Sequence, residues 1–165
     1  MSVRGWIGIT AFCSLTFAYA DSPLLPPATH RVASANGKYA AISDPATGTK
    51  VIDVASRKQL WSMPNWYRDI YLSNDGQHLA TGYDGLNLIS GDPDLSLEMI
   101  TFWEHGRSIR VVSLGTIVPD KSILRRTFSH FAWGNIEGIN GRNQLVVIRI
   151  DGREFRFNMT TGLAE

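Results

Sequence analysis

Residues 34–41 read SANGKYAA and residues 73–80 read SNDGQHLA, nearly the same phrase twice, 39 positions apart. Each copy has a serine, a turn pair (Asn36-Gly37 or Asp75-Gly76), one polar residue, and then small and apolar side chains. Asn, Asp and Gly accept the positive φ that a two-residue type I′ hairpin loop demands, so both copies read as strand, turn and returning strand. A fainter third copy begins at Asn140-Gly141 and continues into Leu145-Val146-Val147. At similar spacing beyond the first and third copies come VIDVAS (51–56) and FNMTTG (157–162), both read as outer strands ending in a turn.

Elsewhere, short apolar and β-branched runs alternate with Gly, Asn and Asp, the pattern of strands joined by turns. Only PDKSILRRTF (119–128) reads as helical. A repeat of about 40 residues with about four strands predicts small sheets that cannot cover their own faces and must stack on neighbours. The fold class expected is therefore all-β, an antiparallel meander of about three propeller-like blades with one short helical segment near 119–128. A closed ring takes roughly four to eight blades, so the alternatives are an open fan with covered edges or a half-propeller completed by a second copy.

Two hairpins can be assigned a register. If Asp151-Gly152 forms a two-residue loop, Arg149 faces Glu154, Ile148 faces Phe155 and Val146 faces Phe157. That sets Val146, Ile148, Ile150, Phe155 and Phe157 on one face. If ITFWEHGRSIRVV turns at His105-Gly106, Glu104 faces Arg107, Phe102 faces Ile109 and Ile100 faces Val111.

The amino-terminal residues MSVRGWIGITAFCSLTFAYA carry Arg4, an apolar run from Trp6 to about Tyr19, and small residues at Ala18 and Ala20. They read as a secretory signal (1–20) cleaved after Ala20, with an apolar run short of the roughly 20 residues that span a bilayer. DSPLLPPATH (21–30), rich in proline, reads as an extended leader, and residues 31–165 as one all-β domain. The expected location is exported, either periplasmic or secreted, with no stable membrane insertion after cleavage. The single cysteine, Cys13, falls inside the signal, so neither disulfides nor thiol catalysis are expected of the mature chain.

Charge is balanced overall, 16 Lys and Arg against 15 Asp and Glu, which gives no reason to expect nucleic acid as a partner. Residues 21–104 hold 6 basic and 10 acidic side chains and residues 105–165 hold 9 and 5, a bias suited to two facing halves or simply to two solvated surfaces.

The four histidines, His30, His78, His105 and His130, fall in no metal-ligand spacing, so no metal site is expected. Ser129-His130 lies in no nucleophile elbow and reads as the start of a strand leading into Trp133. Asp92 and Asp94 in GDPD read as turn-capping carboxylates rather than a calcium loop. No glycine-rich phosphate loop occurs, and no cofactor is expected. The aromatic stretch WSMPNWYRD (61–69) is the strongest candidate surface, with Trp66, Tyr67 and Arg68 as ligand-contact candidates and His130 and Trp133 beside them; packing at a blade junction is the competing use of the same residues.

The phrase SxDGxxLA, followed by DPATGTKVIDVASRKQLW, resembles the YVTN and WD40-like blades of bacterial exported β-propellers, over residues 31–90 and more weakly over 131–163. The chain beyond the leader, with GLNLI, SILRRTFSHFAW and DGREFRFNMTTG, is also similar to a group of small secreted bacterial proteins. Neither resemblance carries catalytic residues over. The function expected is a noncatalytic binding or scaffolding module for a protein or glycan. The alternatives are a hydrolase or lyase using His130 with a carboxylate, and a structural half-ring that dimerises.

Overall fold

In the computed structural model, which describes residues 24–165, the chain forms four antiparallel sheets, and the expected signal lies outside the described residues. The first blade is β1 (His30–Ala33), β2 (Tyr39–Asp44), β3 (Gly48–Asp53) and β4 (Gln59–Met63), paired in chain order. The second holds β5 (Ile70–Leu72) and β6 (His78–Gly82). The next strand, β7 (Leu88–Ser90), leaves the blade, and β8 (Glu98–Glu104) and β9 (Arg107–Ser113) complete it. β7 instead pairs with β11 (His130–Ala132), which pairs with β10 (Arg125–Arg126) in a small inserted sheet. The third blade is β12 (Gly134–Ile139), β13 (Gln144–Arg149) and β14 (Glu154–Asn158).

The first strands of the blades adjoin, β5 touching β1 on one side and β12 on the other. A cavity of about 280 Å³ lies among them, lined by Val32, Ala33, Ile70, Leu72 and Ile139. The fold is thus an all-β partial propeller of three blades, with the small sheet inserted between the second and third. Between the first and second blades, Ala41, Val51, Trp61 and Met63 pack on Ile70, Leu72 and Leu79. A larger core joins the second and third blades through Phe102, Ile100, Leu145, Val147 and Phe157, with the Phe102 and Phe157 rings 6.1 Å apart.

The repeated phrase forms equivalent turns. Ser34 N–H donates to Tyr39 O and Ser73 N–H to His78 O, both at 3.0 Å, while Gly37 and Gly76 N–H donate to Ser34 O and Ser73 O. Only the glycines have positive φ, +70° and +68°, so the loops hold four residues, not the two-residue type I′ loop expected of Asn36-Gly37 and Asp75-Gly76. In the third copy Asn143, at φ +59°, takes the glycine's place, so the expected anchor at Gly141 is two residues early. Asparagine tolerates this left-handed conformation, which is why the site survives without glycine.

The three turns are bonded to one another. Asn36 N–H donates to Asn74 Oδ1 and Asn36 Nδ2 to Asn74 O, both at 2.8 Å, and Ser73 Oγ donates to Asn143 Oδ1 at 2.9 Å. Trp61 reaches from the first blade to donate Nε1–H to Gly76 O at 2.8 Å. The Tyr39 ring fills the space beside Gly76, where a Cβ would lie 2.6 Å from it.

The β13–β14 hairpin corrects the expected register by one residue: Ile148 pairs with Glu154, Val147 with Phe155, Val146 with Arg156 and Leu145 with Phe157. The loop has three residues, Ile150 to Gly152, closed by Arg149 N–H to Arg153 O at 2.8 Å. Leu145 and Val147 therefore share the inner face with the phenylalanines, where Val146 and Ile148 were expected. Aliphatic side chains on both faces of β13 leave the choice of face to Arg149. Its guanidinium is buried, doubly bonded to Asp151 at 2.8 and 2.6 Å, with a third N–H donated to Ile117 O at 3.0 Å. The expected Arg149–Glu154 pair is replaced by Arg149–Asp151 and Arg156–Glu154.

The β8–β9 turn has the expected loop, with Glu104 opposite Arg107 and positive φ at His105 and Gly106. A bulge then moves Phe102 opposite Arg110 and Ile100 opposite Val112, in place of Ile109 and Val111. The extra residue turns Val112 into the core and leaves Val111 exposed. The helical segment expected at 119–128 shrinks to a 3₁₀ turn at Lys121–Ile123, capped by Asp120, before β10 begins. A four-residue helix, α1 (Leu114–Ile117), precedes it and was not expected, being shorter than the window in which helical periodicity shows.

Two outcomes follow for stability. Gly37→Ala, whose Cβ would meet nothing within 4 Å, carries only the left-handed backbone cost, about 1 kcal/mol. Gly76→Ala adds overpacking against Tyr39 and costs about 3 kcal/mol in urea unfolding. Second, the Arg149 hydrogen bonds hold the Asp151 carboxyl down to about 2 from 3.8. This stabilisation is present above 3.8 and is lost as pH falls through about 2, so the deficit of Asp151→Asn relative to wild type shrinks over that window in pH-resolved melts.

Candidate functional site

Asp69 precedes β5, and Tyr71 lies two residues on, so strand alternation sends both side chains to one side. The Tyr71 hydroxyl lies 2.9 Å from Asp69 Oδ2 and 3.3 Å from Ile136 O on β12, joining the second and third blades. Gly82 at the end of β6 makes room for the carboxylate, since a Cβ there would lie 2.4 Å from Asp69 Oδ2. The Gly82 N–H also donates to Asp69 O at 3.0 Å.

Burial pushes the Asp69 carboxyl above its ordinary value, opposed by the Tyr71 hydrogen bond and the nearby His30. Burial, followed by the Asp69 charge, drives the Tyr71 phenol well above its usual range. Both groups face a cavity of about 420 Å³ walled by Tyr83, Leu86, Asn87, Trp133, Asn135 and Ile136. Trp133 is fixed there by donating Nε1–H to Leu86 O at 2.7 Å. The Asn135 carboxamide donates to Glu137 at 3.1 Å. The cavity thus presents a carboxylate, a phenol and two carboxamides between aromatic walls, a set that can bind hydroxyl groups and cover an apolar ring face.

Tyr83 also lines a neighbouring cleft of about 440 Å³ with Leu24, Asp84, Gly85, Leu88, Ser90 and His130. Ser129, read as the start of the strand, instead belongs to the turn before β11, and its Oγ lies 2.8 Å from His130 Nδ1.

The candidates read from sequence divide among these surroundings. Trp133 walls the Asp69 cavity and His130 the adjoining cleft. Arg68 and Trp66 hold the leader: Arg68 donates to Asp84 at 3.0 Å and to Leu25 O at 2.7 Å, with its guanidinium 5.0 Å from the Trp66 ring centre, and Trp66 Nε1–H donates to Ala28 O at 3.0 Å. Tyr67 packs on Trp103, ring centres 5.7 Å apart, at the junction of the first two blades. Asp94 caps the Ser96 turn, and Asp92 pairs with Lys121 at 3.1 Å.

Asp69, Tyr71 and Tyr83 were not singled out from sequence. The signal was present: Asp69 ends the quoted WSMPNWYRD, and an Asp-x-Tyr pair opening a strand puts carboxyl and phenol on one face.

No family model matches the chain, and no curated protein matches it. Among solved structures, the crystal structure of RRP9 WD40 repeats is similar at 15% identity, over 82% of this chain and 36% of that one, with a TM-score of 0.45. The chain therefore spans little more than a third of that structure's length, and a likeness at this score carries no argument about its role.

Because the folded Asp69 carboxyl sits above its unfolded value of 3.8, its stability contribution is present below 3.8 and lost as pH rises through the folded value. Asp69→Asn is therefore expected to melt higher than wild type at neutral pH, with the gap closing in acid. A lower melting point at neutral pH would show the carboxylate to be a structural support instead.

Proposed function

We propose that the chain is a noncatalytic binding module that acts outside the cytoplasm and holds a sugar unit of a glycan in the Asp69 cavity. The reading rests on one observation: a half-buried carboxylate, pushed above its ordinary value by burial, sits beside a phenol in a cavity with aromatic and carboxamide walls. Charged groups retained against their own desolvation mark sites of function. Sugars fit this lining because their hydroxyls pair with carboxylate and amide groups while their C–H faces lie on aromatic rings. The secretory signal read in residues 1–20 supports placement outside the cytoplasm.

A second reading has a specific support. His130 shares its cleft with Asp84 and Tyr83, so an acid and a base could act together there on an exported polymer.

The test is a glycan array followed by calorimetric titration of the retained sugar. Wild type is expected to bind, and Asp69→Asn and Tyr83→Ala each to weaken binding by about tenfold, the loss of one charge-assisted hydrogen bond or one stacked ring. Binding unchanged in both variants, or no sugar retained by wild type, would overturn the assignment. Release of new reducing ends from the bound glycan, abolished in His130→Gln, would select the hydrolase reading.

A further inference from the structure

The β10–β11 hairpin turns tightly at Phe128-Ser129. Thr127 N–H and Oγ1 donate to His130 O at 2.9 and 3.0 Å, and His130 N–H donates back to Thr127 Oγ1 at 3.1 Å. The turn holds Phe128 outward, 93% exposed, beyond any other large apolar side chain among the described residues. Arg125 and Arg126 lead into it on β10, both exposed, and neither guanidinium meets a carboxylate among the described residues. The acidic side chains on neighbouring segments are engaged elsewhere: Asp92 by Lys121, Asp94 by Ser96 and Asp120 by the Ser122 N–H.

The leader reaches the same sheet. Leu24 lines the cleft beside His130, and Leu25 is 79% exposed.

We infer that the β10–β11 hairpin is a contact for an anionic lipid surface, with Phe128 entering the headgroup boundary and Arg125 and Arg126 meeting lipid phosphates. A protruding aromatic ring on a hairpin whose turn is already fixed loses little conformational freedom on insertion, and adjacent cations add attraction to anionic headgroups. A protein partner is the weaker reading, because one ring and two guanidinium groups fall far short of the roughly 800 Å² per partner of a specific interface. The arrangement is independent of the Asp69 cavity, so either can fail without the other.

The test uses the chain as recovered from its producing cell, with vesicles of phosphatidylcholine alone or mixed with phosphatidylglycerol. Cosedimentation is expected with the mixed vesicles and to fall with added salt. Phe128→Ser is expected to weaken binding by about tenfold, and Arg125→Ala with Arg126→Ala together by about twentyfold. Phe128→Trp gives a position-specific reading: brominated lipid should quench its added emission, with unchanged circular dichroism confirming the fold. Absence of that quenching, equal vesicle binding by wild type and the serine variant, or recovery of an envelope protein by the hairpin without vesicle binding would each overturn the inference.

Discussion

The fold depends on how closely one blade's turn can approach the next. Gly76 brings the second blade's turn against the Tyr39 ring, at a distance that no side chain could share. Trp61 hydrogen-bonds to the carbonyl of the same glycine, and Asn36 grips Asn74 beside it. A small sheet alone exposes both apolar faces to water; stacking converts those faces into core. The repeated phrase is thus more than a turn signal, since it supplies the parts by which the blades hold one another.

The same stacking builds the cavity. Asp69 and Tyr71 come from the second blade, Ile136 and Asn135 from the third, and Trp133 from the segment that joins the inserted sheet to it. A carboxylate half-sunk between sheets is raised by burial, and Tyr71 links it to the neighbouring blade. Chemistry at the site is therefore a consequence of the blade junction. The inserted sheet has a different character: it contributes Trp133's approach to the cavity at one end and the exposed Phe128 turn at the other.

Sequence reading reached the blades because glycine at positive φ and alternating strands leave local marks. Gly37, Gly76 and the His105-Gly106 loop all occupy turns where the pattern places them. Details set by distant contacts were out of reach. In the β13–β14 register Arg149 is buried and donates to Ile117 O, 32 positions away, a contact that nothing in the hairpin's own residues reveals. The bulge at Phe102 and Trp103 serves the core's demand for Val112, again a tertiary matter. At the site, Trp133 is legible as a large aromatic near a strand end, whereas the role of Asp69 depends on Gly82 and Tyr71, which the fold brings around it.

Native-state amide hydrogen exchange tests most directly the claim that the blades hold one another. If mutual contact holds them, slowly exchanging amides of β2, β6 and β13, the second strand of each blade, should share one opening free energy and lose protection together as urea is added. Persistent protection of β2 after β6 and β13 have opened would show that the first sheet stands alone, and the account of the stack would be wrong.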